Sequence, residues 1–252
     1  MSDKSAIEWT DATWNPVTGC SKVSPGCANC YAETLSLRFG RSKLPWTPEN
    51  AAENVVLHPE RLGLPKTWRD GRMVFVNSMS DLFHELVPFD YIVQVFNVML
   101  QTERHTFQVL TKRPERMARV MGSLAAAAGP WLEWPLPNVW LGTSIENDRW
   151  VGRADDLRAT PGDWTRFLSL EPLLGPLPSL DLTDIDWVIV GGESGVGHRP
   201  MNPEWVRDLR DRCNAAGVAF FFKQWGGRTP KSGGRELDGR TWDEMPRTVV
   251  AA

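Results

Sequence analysis

Apolar and polar positions follow two alternating rhythms along most of the chain. Apolar runs of five or six residues, at 73–77, 106–111, 138–143, 166–170, 187–191 and 218–222, have the length and the branched or aromatic content of strands. Between several of them, apolar residues recur at helical spacing, over 89–101, 114–121, 148–157 and 203–215. A first helix is expected over 30–39. Pro88, Pro114 and Pro203 stand at helix starts, where a missing N–H costs nothing, and Gly217 suits a helix end. Runs such as 188–190 are apolar throughout, as in strands covered on both faces. Strands alternating with helices predict a parallel sheet with right-handed crossovers, either a barrel or an open α/β sheet.

Two stretches break the rhythm. Residues 40–71 contain Pro45, Pro48, Pro59 and Pro65 and read as an insertion over one face. From 226 to 252 the chain is rich in Gly, Arg and Pro and reads as a mostly irregular tail, leaving 1–225 as the main domain. Residues 133–137 are a short connector.

Composition adds limits. At 252 residues the chain is long enough for one barrel or two smaller domains. Its net charge of −3 argues against a broad basic surface for nucleic acid, though not against a local one. No apolar run approaches the ~20 residues that cross a bilayer. With Asp3, Lys4 and Glu8 near its start, the sequence shows no signal peptide, so a cytoplasmic location without membrane contact is expected. The 13 tryptophans are dispersed, as scattered core and loop anchors would be.

The chemistry concentrates in the cysteines. Cys20, Cys27 and Cys30 form a C-x6-C-x2-C cluster in a loop turned by Gly19, Pro25 and Gly26, whereas Cys213 lies on an apolar helix face and reads as a packed thiol. In a reducing compartment such a cluster points to metal or catalysis rather than disulfides. A structural zinc would need a fourth ligand, and the nearest histidine, His58, is 28 residues beyond Cys30. Inert buried thiols are a second reading. The favoured third is a metal cluster on three thiolates with one position left open; soft sulfur ligands suit iron and sulfide.

In a barrel or open α/β sheet, function gathers where strands end. The residues at those ends are 77–81 (with Ser78 and Asp81), Lys112 and Arg113, Ser144 and Glu146, Glu171, Gly191-Gly192-Glu193, and Lys223-Gln224-Trp225. Helix capping alone explains some of them. A rim mixing Asp, Lys and Glu also suits a ligand carrying both signs. The Gly191-Gly192 pair is not a phosphate-binding fingerprint; it would let backbone approach a flat ring or a ribose. His84 and His105 read as structural.

Taken together, these residues resemble the radical S-adenosylmethionine superfamily, and more narrowly a phage-associated family of uncharacterised three-cysteine, radical-SAM-like proteins. The stretches that carry the resemblance are IEWTDATWNPVTGCSKVSPGCANCYAE, VFVNSMSDLFHE, LTKRPERM, NVWLGTSIEN, FLSLEPLLGPL, DWVIVGGESG and FFKQWG. The resemblance implies an α/β fold, a partial TIM-like (β/α) barrel of about six to seven parallel strands with helices outside. It implies a 4Fe–4S cluster on Cys20, Cys27 and Cys30, with S-adenosyl-L-methionine on the open iron. The expected activity is generation of a 5′-deoxyadenosyl radical that abstracts hydrogen from a substrate. An electron donor such as a flavodoxin or ferredoxin is the expected partner. The cysteine spacing departs from the superfamily's usual C-x3-C-x2-C, and residues 77–81 replace its usual Gly-Gly-Glu.

On that basis Ser78 and Asp81 are candidates for the cofactor's amino group and Lys112 for its carboxylate. Ser144, Glu146 and Glu171 would face the ribose or sulfonium, and Gly191, Gly192 and Glu193 the adenine. A nucleotide or nucleic acid is the expected substrate class, from the phage-type resemblance, the tail cations Arg228, Lys231, Arg235 and Arg240, and a stacking face expected on Trp225. A rival from another class is a zinc-stabilised nucleic-acid-binding protein without catalysis, with Lys112, Arg113 and Arg116 on phosphates. A zinc hydrolase using Glu171 or Glu193 as base is a third.

Overall fold

The computed structural model describes residues 4–128, 134–229 and 231–246. Residue 133 of the connector, the tail beyond 246 and the first three residues lie outside the described residues.

Nine strands and seven α-helices are described. The strands are β1 (Ala12–Trp14), β2 (Val17–Thr18), β3 (Val56–Leu57), β4 (Met73–Val76), β5 (Thr106–Thr111), β6 (Val139–Ser144), β7 (Thr165–Leu170), β8 (Trp187–Gly191) and β9 (Ala219–Gln224). The helices are α1 (Tyr31–Arg38), α2 (Ala51–Asn54), α3 (Leu64–Thr67), α4 (Phe89–Leu100), α5 (Pro114–Ala128), α6 (Gly152–Arg158) and α7 (Pro203–Ala216). Seven strands form one parallel sheet in the order β1-β4-β5-β6-β7-β8-β9. It curls into a half-barrel with helices around it, the partial barrel expected.

The curl is fixed by aromatic packing. Outward residues such as Val74, Val109, Leu141, Leu168, Val188 and Phe222 pack under the helices. Inward Phe75, Trp140, Phe167, Trp187, Ile189 and Phe221 close on Trp9. Trp9 touches Phe75 of β4 at 4.7 Å and Trp187 of β8 at 6.0 Å between ring centroids. Those strands are four places apart, which in a flat sheet is about 19 Å. Only a curled sheet lets one indole reach both. Gly142 assists, because a Cβ there would sit 2.5 Å from the Phe167 ring. The plug occupies the amino-terminal half of the barrel, and small or polar Ser144, Ser169 and Gly191 leave the carboxyl half open.

Some boundaries differ from the sequence expectation. The first strand, β1, was not expected at all. It is three residues long and held by pairing with β4, which no local pattern announces. The helix expected to stop at 121 continues to Ala128, since Ala125–Ala128 favours helix. The helix expected over 148–157 divides into a 3₁₀ turn at Asp148–Trp150, capped by the Asn147 side chain, and then α6. The inserted segment contributes β3, which pairs antiparallel with β2 beside the cysteine loop.

After β9 no helix or strand follows among the described residues, yet the segment is packed. Leu237 is fully buried, the Trp187 indole donates to Glu244 O at 2.8 Å, and the Phe220 N–H to the Glu244 carboxylate at 3.0 Å.

Candidate metal centre and cofactor rim

The cysteine loop follows β1 and the short β2 and lies across the carboxyl ends of the central strands. Cys20, Cys27 and Cys30 line a single cavity of about 160 Å³ with Ser78, Asp81, Lys112, Arg113 and Ser144. The strand ends of β4, β5 and β6 therefore meet the three thiols in one place.

Three charged side chains tie the loop to those ends. Arg113, at the head of α5, is 7% exposed. Its Nη1 donates to Cys20 Sγ at 3.6 Å and to Asp81 Oδ2 at 3.1 Å, and its Nη2 donates to the Ser21 carbonyl at 3.2 Å. Glu146, after β6, is fully buried; it accepts from Ser24 Oγ at 2.5 Å and from Arg153 at 3.1 Å. Gly26 passes so close that a Cβ would lie 2.4 Å from Glu146 Cγ. Glu193, after β8, accepts from Asn29 Nδ2 at 2.9 Å and is paired with Arg199, which also reaches the Pro25 carbonyl at 3.0 Å.

Electrostatics follow from this arrangement. Burial, reinforced by the Asp81 charge, pushes the Cys20 thiol up to about 12, although the adjacent Arg113 opposes it. Burial also raises Cys30. For Glu193 burial alone would raise the carboxyl, but hydrogen bonds from Arg199 and Asn29 outweigh it and hold it below its ordinary range. Burial and Arg113 both lower His84; its Nδ1 accepts from the Leu86 N–H at 3.2 Å and its Nε2 holds Ser21 Oγ at 2.8 Å.

The residues chosen from sequence fall into different positions. Asp81 lines the cavity, but Thr111 Oγ1, Phe83 N, Lys112 N and Arg113 already donate to its two oxygens. It orders the end of β5. Ser78 also lines the cavity; its hydroxyl exchanges with the Asn15 side chain at 3.2 Å and its carbonyl accepts from Tyr31 at 2.5 Å. Lys112 Nζ lies 3.8 Å from Glu146 Oε1. Glu171 pairs with Lys223 at 2.6 Å; it does not itself line the cysteine cavity, but its charge acts on Tyr31, which does. Gly191 faces that pair, since a Cβ would lie 3.2 Å from Glu171 Cδ. Gly192 is approached by backbone rather than by open space: a Cβ would fall 2.0 Å from the Trp225 carbonyl oxygen.

The tail is also engaged internally. The Trp225 indole donates to Glu236 O at 2.8 Å, and its ring packs on Phe222 at 4.8 Å. Lys231 pairs with Glu8, Arg235 with Asp243, and Arg240 covers the Trp242 ring at 3.4 Å. Cys213 is fully buried on α7, as expected for a packed thiol.

A family model described as "Protein of unknown function (DUF5131)" matches residues 4–246. The chain belongs to the DUF5131 family. No curated protein matches the chain, and neither does any solved structure. In this DUF5131 chain the sequence reading missed Ser24, Asn29, Arg153 and Arg199, which together anchor the cysteine loop. Charge was the only local signal for Arg153 and Arg199, and a place inside the cysteine loop the only one for Ser24 and Asn29. Arg113 was noticed, but as a phosphate contact rather than a partner of Cys20.

Among the described residues no three His, Cys, Asp or Glu side chains converge as a single-ion site. One tetrahedral zinc would need its thiolates about 4 Å from one another. A four-iron cluster takes each thiolate at a separate iron and spaces them more widely.

Proposed function

We propose that this protein is a radical S-adenosylmethionine enzyme whose 4Fe–4S cluster is held by Cys20, Cys27 and Cys30. The observation that carries the reading is the lining of one cavity by three thiols of a single loop and by the ends of β4, β5 and β6. The donor set fits the group: three soft sulfurs, a buried guanidinium against one of them, and no fourth cysteine in the loop. When bound, cluster and cofactor would supply one-electron cleavage of the sulfonium.

The chain's own residues prepare that chemistry. Arg113, Glu146 and Glu193 fix the loop, so the thiols are presented without reorganisation. Lys112 supplies a cation at the cavity wall, suited to a carboxylate. Asp81 has both oxygens occupied, which leaves the Ser78 hydroxyl as the better acceptor for an ammonium. Phe75 and Leu110 line the cavity, and the aromatic plug deeper in the barrel keeps water from entering from below. A nucleotide, or a base in nucleic acid, is the substrate class to test first. It would be held by the rim and by Arg228, because the other three tail cations, Lys231, Arg235 and Arg240, already have partners within the protein.

The test is anaerobic reconstitution with iron and sulfide, followed by reduction in the presence of S-adenosylmethionine. Brown absorbance, about four irons per chain and release of 5′-deoxyadenosine with methionine are expected. Stoichiometric zinc with no iron uptake would favour the zinc-stabilised binding protein instead.

A further inference from the structure

Helix α1 is turned inside out. It buries Ala32, Glu33 and Ser36, while Tyr31, Leu35, Leu37 and, at its end, Phe39 are exposed, at 52%, 36%, 38% and 62%. Surface helices of globular proteins do the reverse. Tyr31, Leu35 and Phe39 recur every four residues and so form one stripe. A contiguous apolar stripe of this kind marks a contact surface rather than scattered exposure.

Its electrostatics select the partner. Between residues 31 and 43 the only acid is Glu33, which is buried and neutralised by Lys22 at 2.9 Å. The exposed charges are Arg38, Arg41 and Lys43, all basic, on a chain whose net charge is −3. Arg38 and Arg41 stand 5.7 and 5.9 Å from the Phe39 ring centroid. A two-fold dimer through this stripe would set the same cations against one another. Nucleic acid would use the cations and two aromatics but gain little from Leu35. An acidic protein surface with an apolar centre uses the whole stripe, Tyr31, Leu35 and Phe39, together with the cations; Leu37 lies off that face.

The helix also begins at the metal centre. Cys30 is its N-cap, and Tyr31 lines the cysteine cavity. The stripe runs from there to Phe39, about 12 Å along the helix axis. We infer that the exposed face of α1 is the docking surface for an acidic electron-transfer protein that reduces the iron centre. This rests on the function proposed above. At the interface one electron leaves the partner, which is oxidised by one, and enters the iron centre, which is reduced by one. No bond or proton changes hands.

The experiment uses iron-loaded protein under anaerobic conditions with a reduced flavodoxin as probe. Binding is measured by biolayer interferometry at low and moderate salt, and reduction by bleaching of the visible absorbance. The variants are Leu35→Ser/Phe39→Ser and Arg38→Ser/Arg41→Ser. Because these residues are exposed, iron content and the rate of reduction by dithionite should match wild type. Flavodoxin binding should weaken at least about tenfold in each variant. Wild-type affinity should fall as salt screens the charges. Equal binding and equal bleaching by flavodoxin in wild type and variants would overturn the inference while leaving the enzyme reading intact. A wild-type dimer, or bound single-stranded DNA, lost in the same variants with flavodoxin reduction unchanged would overturn it too. If wild type takes up no iron, the enzyme reading fails, and this inference with it.

Discussion

The Ser24 hydroxyl donates to Glu146 Oε1 at 2.5 Å, and the cysteine loop is thereby fastened to the end of β6. Glu146 is fully buried and also holds Arg153. Removing the carboxylate leaves a buried guanidinium uncompensated. Glu146→Ala should therefore cost about 3–5 kcal/mol in urea unfolding, and Ser24→Ala nearer ~1 kcal/mol. Gly26→Ala pushes a methyl group into the Glu146 side chain and should displace the loop. Its iron uptake should drop sharply while circular dichroism stays native. Full iron occupancy in Gly26→Ala would show that the close approach at residue 26 has no bearing on the proposed metal centre.

Arg113 bridges Cys20, Asp81 and the Ser21 carbonyl. A cation donating to a thiolate ligand stabilises the more negative, reduced state of an iron–sulfur centre. Arg113→Lys should keep the fold and retain iron but shift the midpoint potential to more negative values, since the ammonium cannot serve all three partners. Arg113→Met should destabilise the protein by about 3–5 kcal/mol, because the buried Asp81 charge loses its cation. Spectroelectrochemistry giving the wild-type potential in Arg113→Lys would remove this residue from the tuning of the proposed iron–sulfur centre.

Glu193 links β8 to the loop through Asn29 and Arg199. Its folded-state carboxyl lies below the ordinary value, so the ion pair stabilises above that ordinary value and is lost as pH falls through the depressed one. Thermal unfolding should thus show an acid-side loss of stability that is smaller in Glu193→Gln. Identical profiles between the acid limb and neutrality would argue against the tie.

Cys213 provides the opposite sign. Burial pushes its thiol from an ordinary 9.0 up to about 12. The folded state therefore favours the protonated form. That contribution is complete below pH 9 and declines between 9 and about 12, with a slope near ~1.4 kcal/mol per pH unit for one group. Cys213→Ala should flatten this alkaline decline while leaving iron uptake unchanged. Rapid alkylation of native Cys213 at neutral pH would contradict its burial.

Much of the architecture was legible in the chain. Strands buried on both faces appear as unbroken apolar runs, and helices between them keep a helical period, so β5 and β8 were predicted residue for residue. The packed state of Cys213 could also be read, because its apolar neighbours lie on one helix face. Tertiary structure decided what local pattern cannot encode. β1 is too short to have a pattern and exists through its pairing with β4. Asp81 looks like a free rim carboxylate in sequence, yet four donors from distant and neighbouring backbone and side chains occupy it. Arg113, Glu146 and Glu193 are 93, 122 and 164 residues from their loop partners Cys20, Ser24 and Asn29. Sequence determined which groups could bind metal or carry charge, because that is set by residue type. Which of those charges face a ligand and which are spent holding the loop is set by long-range packing around a buried site, where an unpaired charge is too costly to persist.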